Sequence, residues 1–349
     1  MKKLMRNKLL LVIVCTIIVL LIAGIAALIY INGLDKAYDS SKSDTINVTV
    51  EMGSTTEDIG TLLQEEGIIE SSSDFKFFSK VKGYDGKYQA GTYALAPSMT
   101  LSEIAEIIIS GKTNNITFTI PEGYTIYQMA DKLSEEGIVD REKFVSLLTD
   151  GNFSYDFLSD AQSGKNHLEG YLFPETYTVE FGADEETIIN TMLNQFDTVF
   201  TEEFKARAEE LGYSLNEIMV IASIIERETQ VDEERGKVSS VIYNRLKEGM
   251  PLQMCSTVQY ILGEQKEILS NADTQIESPY NTYINQGLPP GPICCPGLAS
   301  IEAALYPDET DYLYFVVSDK LDGTQKFSSD YNQFLKDKED YYNALEQQE

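Results

Sequence analysis

The sequence predicts an α+β protein carried on a single apolar helix at its amino terminus. Three observations predict it. Residues 9–31 form an uninterrupted apolar run, residues 46–139 hold a duplicated strand–glycine–helix pattern, and the remainder mixes successive helical stripes with one hairpin-like alternation. With 349 residues and 43% hydrophobic composition, the chain can bury a sizeable core shared among two or three structural units.

The first element is "LLLVIVCTIIVLLIAGIAALIYI" (9–31), which has no charged residue and is long enough to cross a bilayer as a helix. Lys2, Lys3, Arg6 and Lys8 precede it. The positive-inside rule therefore makes residues 1–8 a cytoplasmic tip and places everything after the span outside the cell membrane, as a single-pass protein. A cleaved signal peptide is the other reading, but its apolar region is usually shorter, roughly 7–15 residues, and ends at a small-x-small site. Cys15 lies inside the span rather than at a cleavage boundary, which speaks against a lipoprotein.

Residues 32–45, "NGLDKAYDSSKSDT", are polar and Ser-rich and read as a linker. The repeat follows. "INVTVEMGSTTEDIGTLLQEEGII" (46–69) matches "ITFTIPEGYTIYQMADKLSEEGIV" (116–139) at one constant offset, pairing Gly53 with Gly123, Thr55 with Thr125 and Gly67 with Gly137. Each copy opens with the alternation of a strand, turns at a glycine, continues as a helical stripe and reaches a glycine where a helix would end. "DFKFFSKV" and "REKFVSLL" add a second short helix to each copy. Between the copies, residues 88–112 read as a strand, a turn and a helix stopped by Gly111. A unit of one strand and two helices introduced by "EGYT" is similar to the LysM type of glycan-binding module, which makes residues 46–149 a LysM-like α/β region. A duplicated α/β scaffold without a ligand gives the same pattern.

Residues 150–349 form the remaining, mixed α+β domain. Residues 186–247 read as successive helices, with Asp232 placed as an N-cap for the helix running to Leu246. "PYNTYINQGLPPGPICCPG" (279–297) is too rich in Pro and Gly for helix or central strand. "DYLYFVVS" (311–318) and "GTQKFSS" (323–329) look like a hairpin, and the acidic tail after residue 330 like a surface helix.

Composition narrows the chemistry. A formal net charge of −29 excludes nucleic acid and an anionic membrane surface as partners, since both need clustered Lys and Arg. A single histidine, His167, argues against His-rich zinc sites and against a Ser/His/Asp triad anywhere but around that residue. His167 itself reads as a local hydrogen-bonding residue. There is no phosphate-binding glycine loop, no dinucleotide fingerprint and no HExxH. Trp is absent, so stacking on sugars would fall to the 21 Tyr and 15 Phe. Outside the membrane span stand Cys255, Cys294 and Cys295. In an oxidising compartment they suggest a disulfide of Cys255 with Cys294 or Cys295, closing a loop of roughly 40 residues worth ~3–4 kcal/mol. Three buried thiols are the alternative.

In "IASIIERETQ" (221–230) a run of apolar residues stops at Glu226, Arg227 and Glu228. A helix apolar on nearly all faces is surrounded by protein, so a carboxyl at its end would be partly desolvated and inclined to keep its proton, as a general acid must. The negative end of the helix dipole acts in the same direction. A helix that simply surfaces and pairs Glu226 or Glu228 with a basic residue accounts for the same letters. "HLEGYLFPETYTVEFG" (167–182) sets Glu169 and Glu175 among Tyr171, Phe173 and Tyr177. Carboxylates interleaved with rings suit a sugar cleft, and equally an ordinary half-buried turn.

"LEGYLFPETY", "IASIIERET", "VSSVIYNRL", "LQMCSTVQY", "SPYNTYINQGLPPGPI" and "DYLYFVVSDKLDGTQKFSS" occur in this order. Together they resemble the endolytic murein transglycosylase family, the MltG or YceG-like proteins, over most of residues 45–335. The resemblance makes 150–349 the catalytic domain and Glu226 its catalytic glutamate. It implies cleavage of the MurNAc–GlcNAc β-1,4 bond of nascent peptidoglycan without water, cofactor or metal, leaving a 1,6-anhydro-MurNAc end. Peptidoglycan strands and the synthases that make them are the implied partners. Glu169, Glu175, Gln253, Asn281, Thr282 and Tyr283 are candidate substrate-binding residues, and Cys255 with Cys294 the candidate disulfide. In "LQMCSTVQY", Cys255 stands where many members have Asp, so no role of that Asp carries over. A hydrolytic muramidase using a second carboxylate, and a non-enzymatic wall scaffold, are the competing readings.

Overall fold

The computed structural model describes residues 16–19, 21–22, 29–162, 164–266 and 268–347. The expected membrane helix at 9–31 lies largely outside them; its described parts are helical. Among the described residues, no helix is long and apolar enough to cross a membrane. The chain divides into two compact units. One comprises the described residues through Ile116 together with Thr178–Gly182, the other Thr117–Tyr177 together with the described residues from Ala183 onward. The division falls at the start of the second repeat.

The first unit runs β1 (Ile46–Val50), α1 (Thr56–Glu65), α2 (Ser72–Lys82), β2 (Gly91–Leu95) and α3 (Leu101–Ser110). β1 and β2 pair antiparallel with Val48 opposite Tyr93. Alternation puts Val48, Val50, Tyr93 and Leu95 into a core with Ile59, Leu63, Phe75 and Phe78. Gly111 ends α3 in the left-handed conformation.

β3 (Asn115–Thr119) and β4 (Thr176–Glu180) form a second two-stranded sheet. After β3 the second unit continues with α4 (Ile126–Glu135) and α5 (Arg141–Asp150). The two repeat copies share their local chemistry. Thr55 caps α1 in a reciprocal box with Asp58, and Thr125 caps α4 in the same way with Gln128. Gly53 and Gly123 turn into these helices at φ of 86° and 76°, a region that residues with a Cβ seldom enter.

The rest of the second unit is mostly helical: α6 (Glu185–Val199), α7 (Glu202–Leu211), α8 (Leu215–Glu228), α9 (Arg235–Lys247), α10 (Cys255–Leu262) and α11 (Leu298–Leu305). The expected hairpin, β5 (Tyr314–Val317) with β6 (Gln325–Ser328), and the terminal helix α12 (Tyr331–Glu346) complete it. α8 is the central rod, packed by α7, α9, α10 and α11. Every residue from Ile218 to Ile225 is buried. The one polar member, Ser223, donates to Val220 O (2.8 Å) and accepts from the Ile293 amide (3.0 Å), which satisfies its hydroxyl in the core. Asp232 does not cap α9 as expected. It opens a single 3-10 turn, Asp232–Glu234, and accepts instead from Arg235 Nε at 3.1 Å.

Candidate active site

The last turn of α8 delivers Glu226 with its side chain 8% exposed. Its carboxyl meets three donors, all on Oε2: Ser300 Oγ at 2.8 Å, the Gly297 amide at 3.2 Å and Arg235 Nη1 at 3.3 Å. Arg235, at the start of α9, is itself buried and also donates to Ser300 Oγ. Gly297 and Ser300 belong to the amino-terminal end of α11, whose dipole favours an anion there. The helix end is therefore both desolvated and ion-paired, which joins the two sequence readings of Glu226. The pairing cation is Arg235; Arg227 Nη1 donates to Gly123 O (3.3 Å).

A second carboxyl, absent from the sequence-based candidates, stands beside the first. Glu122 lies in the "PEGYT" turn that opens α4. A Cβ built on Gly297 would fall 1.9 Å from Glu122 Oε1, so the carboxyl lies over the glycine whose amide holds Glu226. Loss of solvent raises the Glu122 carboxyl above its ordinary value, the Glu226 charge adds to this, and Arg235 opposes it. The turn is tied to the Pro/Gly loop by two backbone bonds, Gly123 N–H to Cys295 O and Cys295 N–H to Tyr124 O, each 2.9 Å. Glu122, Tyr124, Gln128, Lys132 and Arg227 line an open groove of about 500 Å³. The signal for Glu122 was present in the repeat: its counterpart in the first copy is Met52, which is 93% exposed.

The other candidates fall into separate groups. Glu169 is completely buried at the amino terminus of α4, accepting from the Ile126 amide (3.1 Å) and Tyr260 Oη (3.3 Å). Burial pushes its carboxyl up to about 8 against those two donors. Glu175 is exposed and accepts from the Thr176 amide. Gln253, Asn281, Thr282 and Tyr283 gather at the start of α10. Asn281 is buried and donates to Thr274 O and Ile276 O, which holds the loop in shape. Thr282 accepts from the Met254 amide (2.9 Å) through Oγ1 and from the Gln253 amide (3.0 Å) through its carbonyl. These bonds fix Gln253 at a φ of 54°, unusual for a residue with a side chain. Nearby Glu228 accepts from the Ser256 amide (2.9 Å). His167 contacts Gly164 O through Nδ1.

The expected disulfide between Cys255 and Cys294 is not formed, and Cys295 is also free. Cys294 is buried with Sγ against Ser223 O (3.4 Å), whereas Cys255 is exposed with Sγ 3.1 Å from Tyr283 Oη. The two thiols are committed to different surroundings, and the loop is held by backbone hydrogen bonds instead.

The site is thus a nearly buried carboxyl held by Arg235, Ser300 and the Gly297 amide at the end of a buried helix. The chain belongs to the YceG-like family, whose profile matches residues 48–340. It is 34% identical over 337 residues, 93% of this chain and 92% of the relative, to a Bacillus subtilis protein named endolytic murein transglycosylase. A Streptococcus pneumoniae protein of the same name is 32% identical over 80% of this chain and 55% of its own length. A solved YceG-like protein of Listeria monocytogenes is 34% identical and superposes with a TM-score of 0.56, over 84% of this chain and 99% of that one.

Proposed function

We propose that this protein is a membrane-anchored endolytic peptidoglycan lytic transglycosylase, a lyase that cuts MurNAc–GlcNAc β-1,4 bonds within newly made strands and so ends their growth. The observation that carries the reading is Glu226, a nearly buried carboxyl whose three bonds all fall on one oxygen, in a chain of this family. The reaction needs a proton given to the leaving oxygen of GlcNAc. It also needs one removed from the C6 hydroxyl of MurNAc as that oxygen attacks C1, which closes the 1,6-anhydro ring without consuming water. A single carboxyl in the place of Glu226 can serve both transfers, first as acid and then as base.

The order β1, α1, α2, β2, with its strands antiparallel, supports a LysM-like glycan-holding role for the first unit. Lys2, Lys3, Arg6 and Lys8 ahead of the apolar run support an anchor with the catalytic unit outside the membrane, where nascent strands and their synthases are met. A hydrolytic muramidase is favoured by one observation, the second carboxyl at Glu122.

The test is to incubate the full-length chain, wild type and Glu226→Gln, with uncross-linked glycan strands and weigh the products. Anhydro ends from wild type alone are expected, with Glu226→Gln slower by at least about 10²-fold. Reducing ends, heavier by one water, would make the protein a hydrolase. Strands left whole by both proteins, yet digested by a control muramidase, would make it a scaffold.

A further inference from the structure

The end of the apolar run is built into the first unit. Residues 29–34 are helical. Ile31, 8% exposed, belongs to the same core as Val48, Phe75 and Phe78, and Leu34 packs against that core. Next in the chain, Asp35 accepts from the Ser102 amide (2.9 Å) and the Ser102 hydroxyl (2.5 Å) at the start of α3. Further on, the Asp39 amide donates to Pro97 O and the Ser98 amide to Lys42 O. The stretch expected to be a linker is therefore tied down from its first residues. In the other direction Tyr30 and Ile29 emerge at 57% and 68% exposure, and the sequence before them is the uncharged run from residue 9.

Beside this exit lies an exposed apolar face. The Tyr30 ring meets Phe77 edge-on, with centroids 6.1 Å apart. Phe77 is 46% exposed and Val81, one turn further along α2, is 47% exposed, while the same helix buries Phe75 and Phe78. Residues 76–82 carry three lysines and no acidic residue, against the acidic balance of the whole chain. Lys76 pairs with Glu57, and Lys80 and Lys82 are exposed. Tyr30 closes an apolar run of bilayer-spanning length, the position at which aromatic rings collect at the headgroup level. Val81 stands only about 6 Å along the helix from Phe77. That step is comparable to the thickness of one headgroup layer, about 5–7 Å.

We propose that this face of α2 lies in the headgroup layer of the phospholipid bilayer that the amino-terminal run enters. Phe77 and Val81 reach the acyl boundary, and Lys80 and Lys82 turn their ammonium groups to lipid phosphates. The inference rests on the membrane anchor proposed above and goes beyond it, because the first unit is then seated on the membrane and not carried on a free tether. The charge of the whole chain works against a lipid surface met by diffusion. Here the covalent continuation into the apolar run brings the one lysine-bearing apolar face to the lipid.

The chain has no Trp, so a single introduced one reports its own surroundings. Full-length Tyr30→Trp, Phe77→Trp and Val81→Trp are placed in phosphatidylcholine vesicles with plain or brominated acyl chains, and wild type serves as the blank. Bromine on the chains quenches a ring that reaches the acyl boundary and spares one that stays in water. Emission from all three variants should fall in brominated vesicles, with the losses at positions 77 and 81 comparable to that at position 30. Either α2 variant carries the test should the other not fold. Quenching of Tyr30→Trp alone would overturn the proposal and leave the anchor standing. Blue-shifted emission from Phe77→Trp without bromine quenching would mean that protein, a second copy of this chain included, covers the face, and would overturn it as well. No quenching in any of the three would overturn the anchor and the proposal with it.

Discussion

Glu169 should make the stability of this protein depend on pH, and Glu169→Gln should remove that dependence. The side chain is wholly buried, and its carboxyl holds a proton up to about pH 8, whereas an exposed glutamate releases it near 4.5. Burial is the larger cause; the Ile126 amide and Tyr260 hydroxyl work against it without overcoming it. Between those two values the unfolded chain binds fewer protons than the folded one, so folding loses ground as pH rises. The contribution is complete below about pH 4.5 and is drained as pH passes through 8. At about 1.4 kcal/mol per pH unit, wild type should lose roughly 3–4 kcal/mol from this group between pH 5 and 8. Glutamine keeps an acceptor for the Ile126 amide and cannot ionise. Urea unfolding of both proteins at pH 5, 6, 7 and 8 should therefore give a flatter profile for Glu169→Gln by about that amount. Parallel profiles would refute the argument, because the carboxyl would then ionise alike in folded and unfolded chains.

Two further outcomes follow from the site. Arg235→Met should cost about 3–5 kcal/mol in urea unfolding by leaving Glu226 a buried, uncompensated carboxylate, and adding Glu226→Gln should recover at least half of it; simple additivity would sink the pairing. Maleimide labelling without reductant, mapped by peptide mass, should modify Cys255 in the folded chain and Cys294 and Cys295 after unfolding alone, whereas a bridged pair would never label.

What could be read from the sequence was what neighbours in sequence determine. Thr55 and Thr125 cap helices through residues three positions on, and Gly111 stops one at its own position, so both repeat copies and their turns were legible. The apolar run before Glu226 made α8 and its desolvated end legible for the same reason. The partners of Glu226 were not, because Gly297 and Ser300 reach it across more than 70 positions by way of a loop without regular structure. Arg235 is nine positions from Glu226, but its direction depends on the 3-10 turn that displaced Asp232 from its expected capping role. Asn281 and Thr282 showed their importance by type, yet only burial distinguishes loop-holding contacts from substrate contacts. The cysteines misled because pairing depends on which way each thiol faces, and spacing carries no such information.

The molecule contains its own control for what makes a carboxyl useful. The duplicated turn occurs twice with the same glycine and the same capping threonine, but Met52 in one copy is 93% exposed while Glu122 in the other, also exposed, rests over Gly297. The turn supplies an address, and the loop that docks on it, through Cys295, supplies the meaning. Grafting a glutamate onto the first copy would add one more charge to an already acidic surface and no chemistry. Redesign of this enzyme should therefore begin at the seam between turn and loop, where a few backbone hydrogen bonds hold two distant stretches of chain in register.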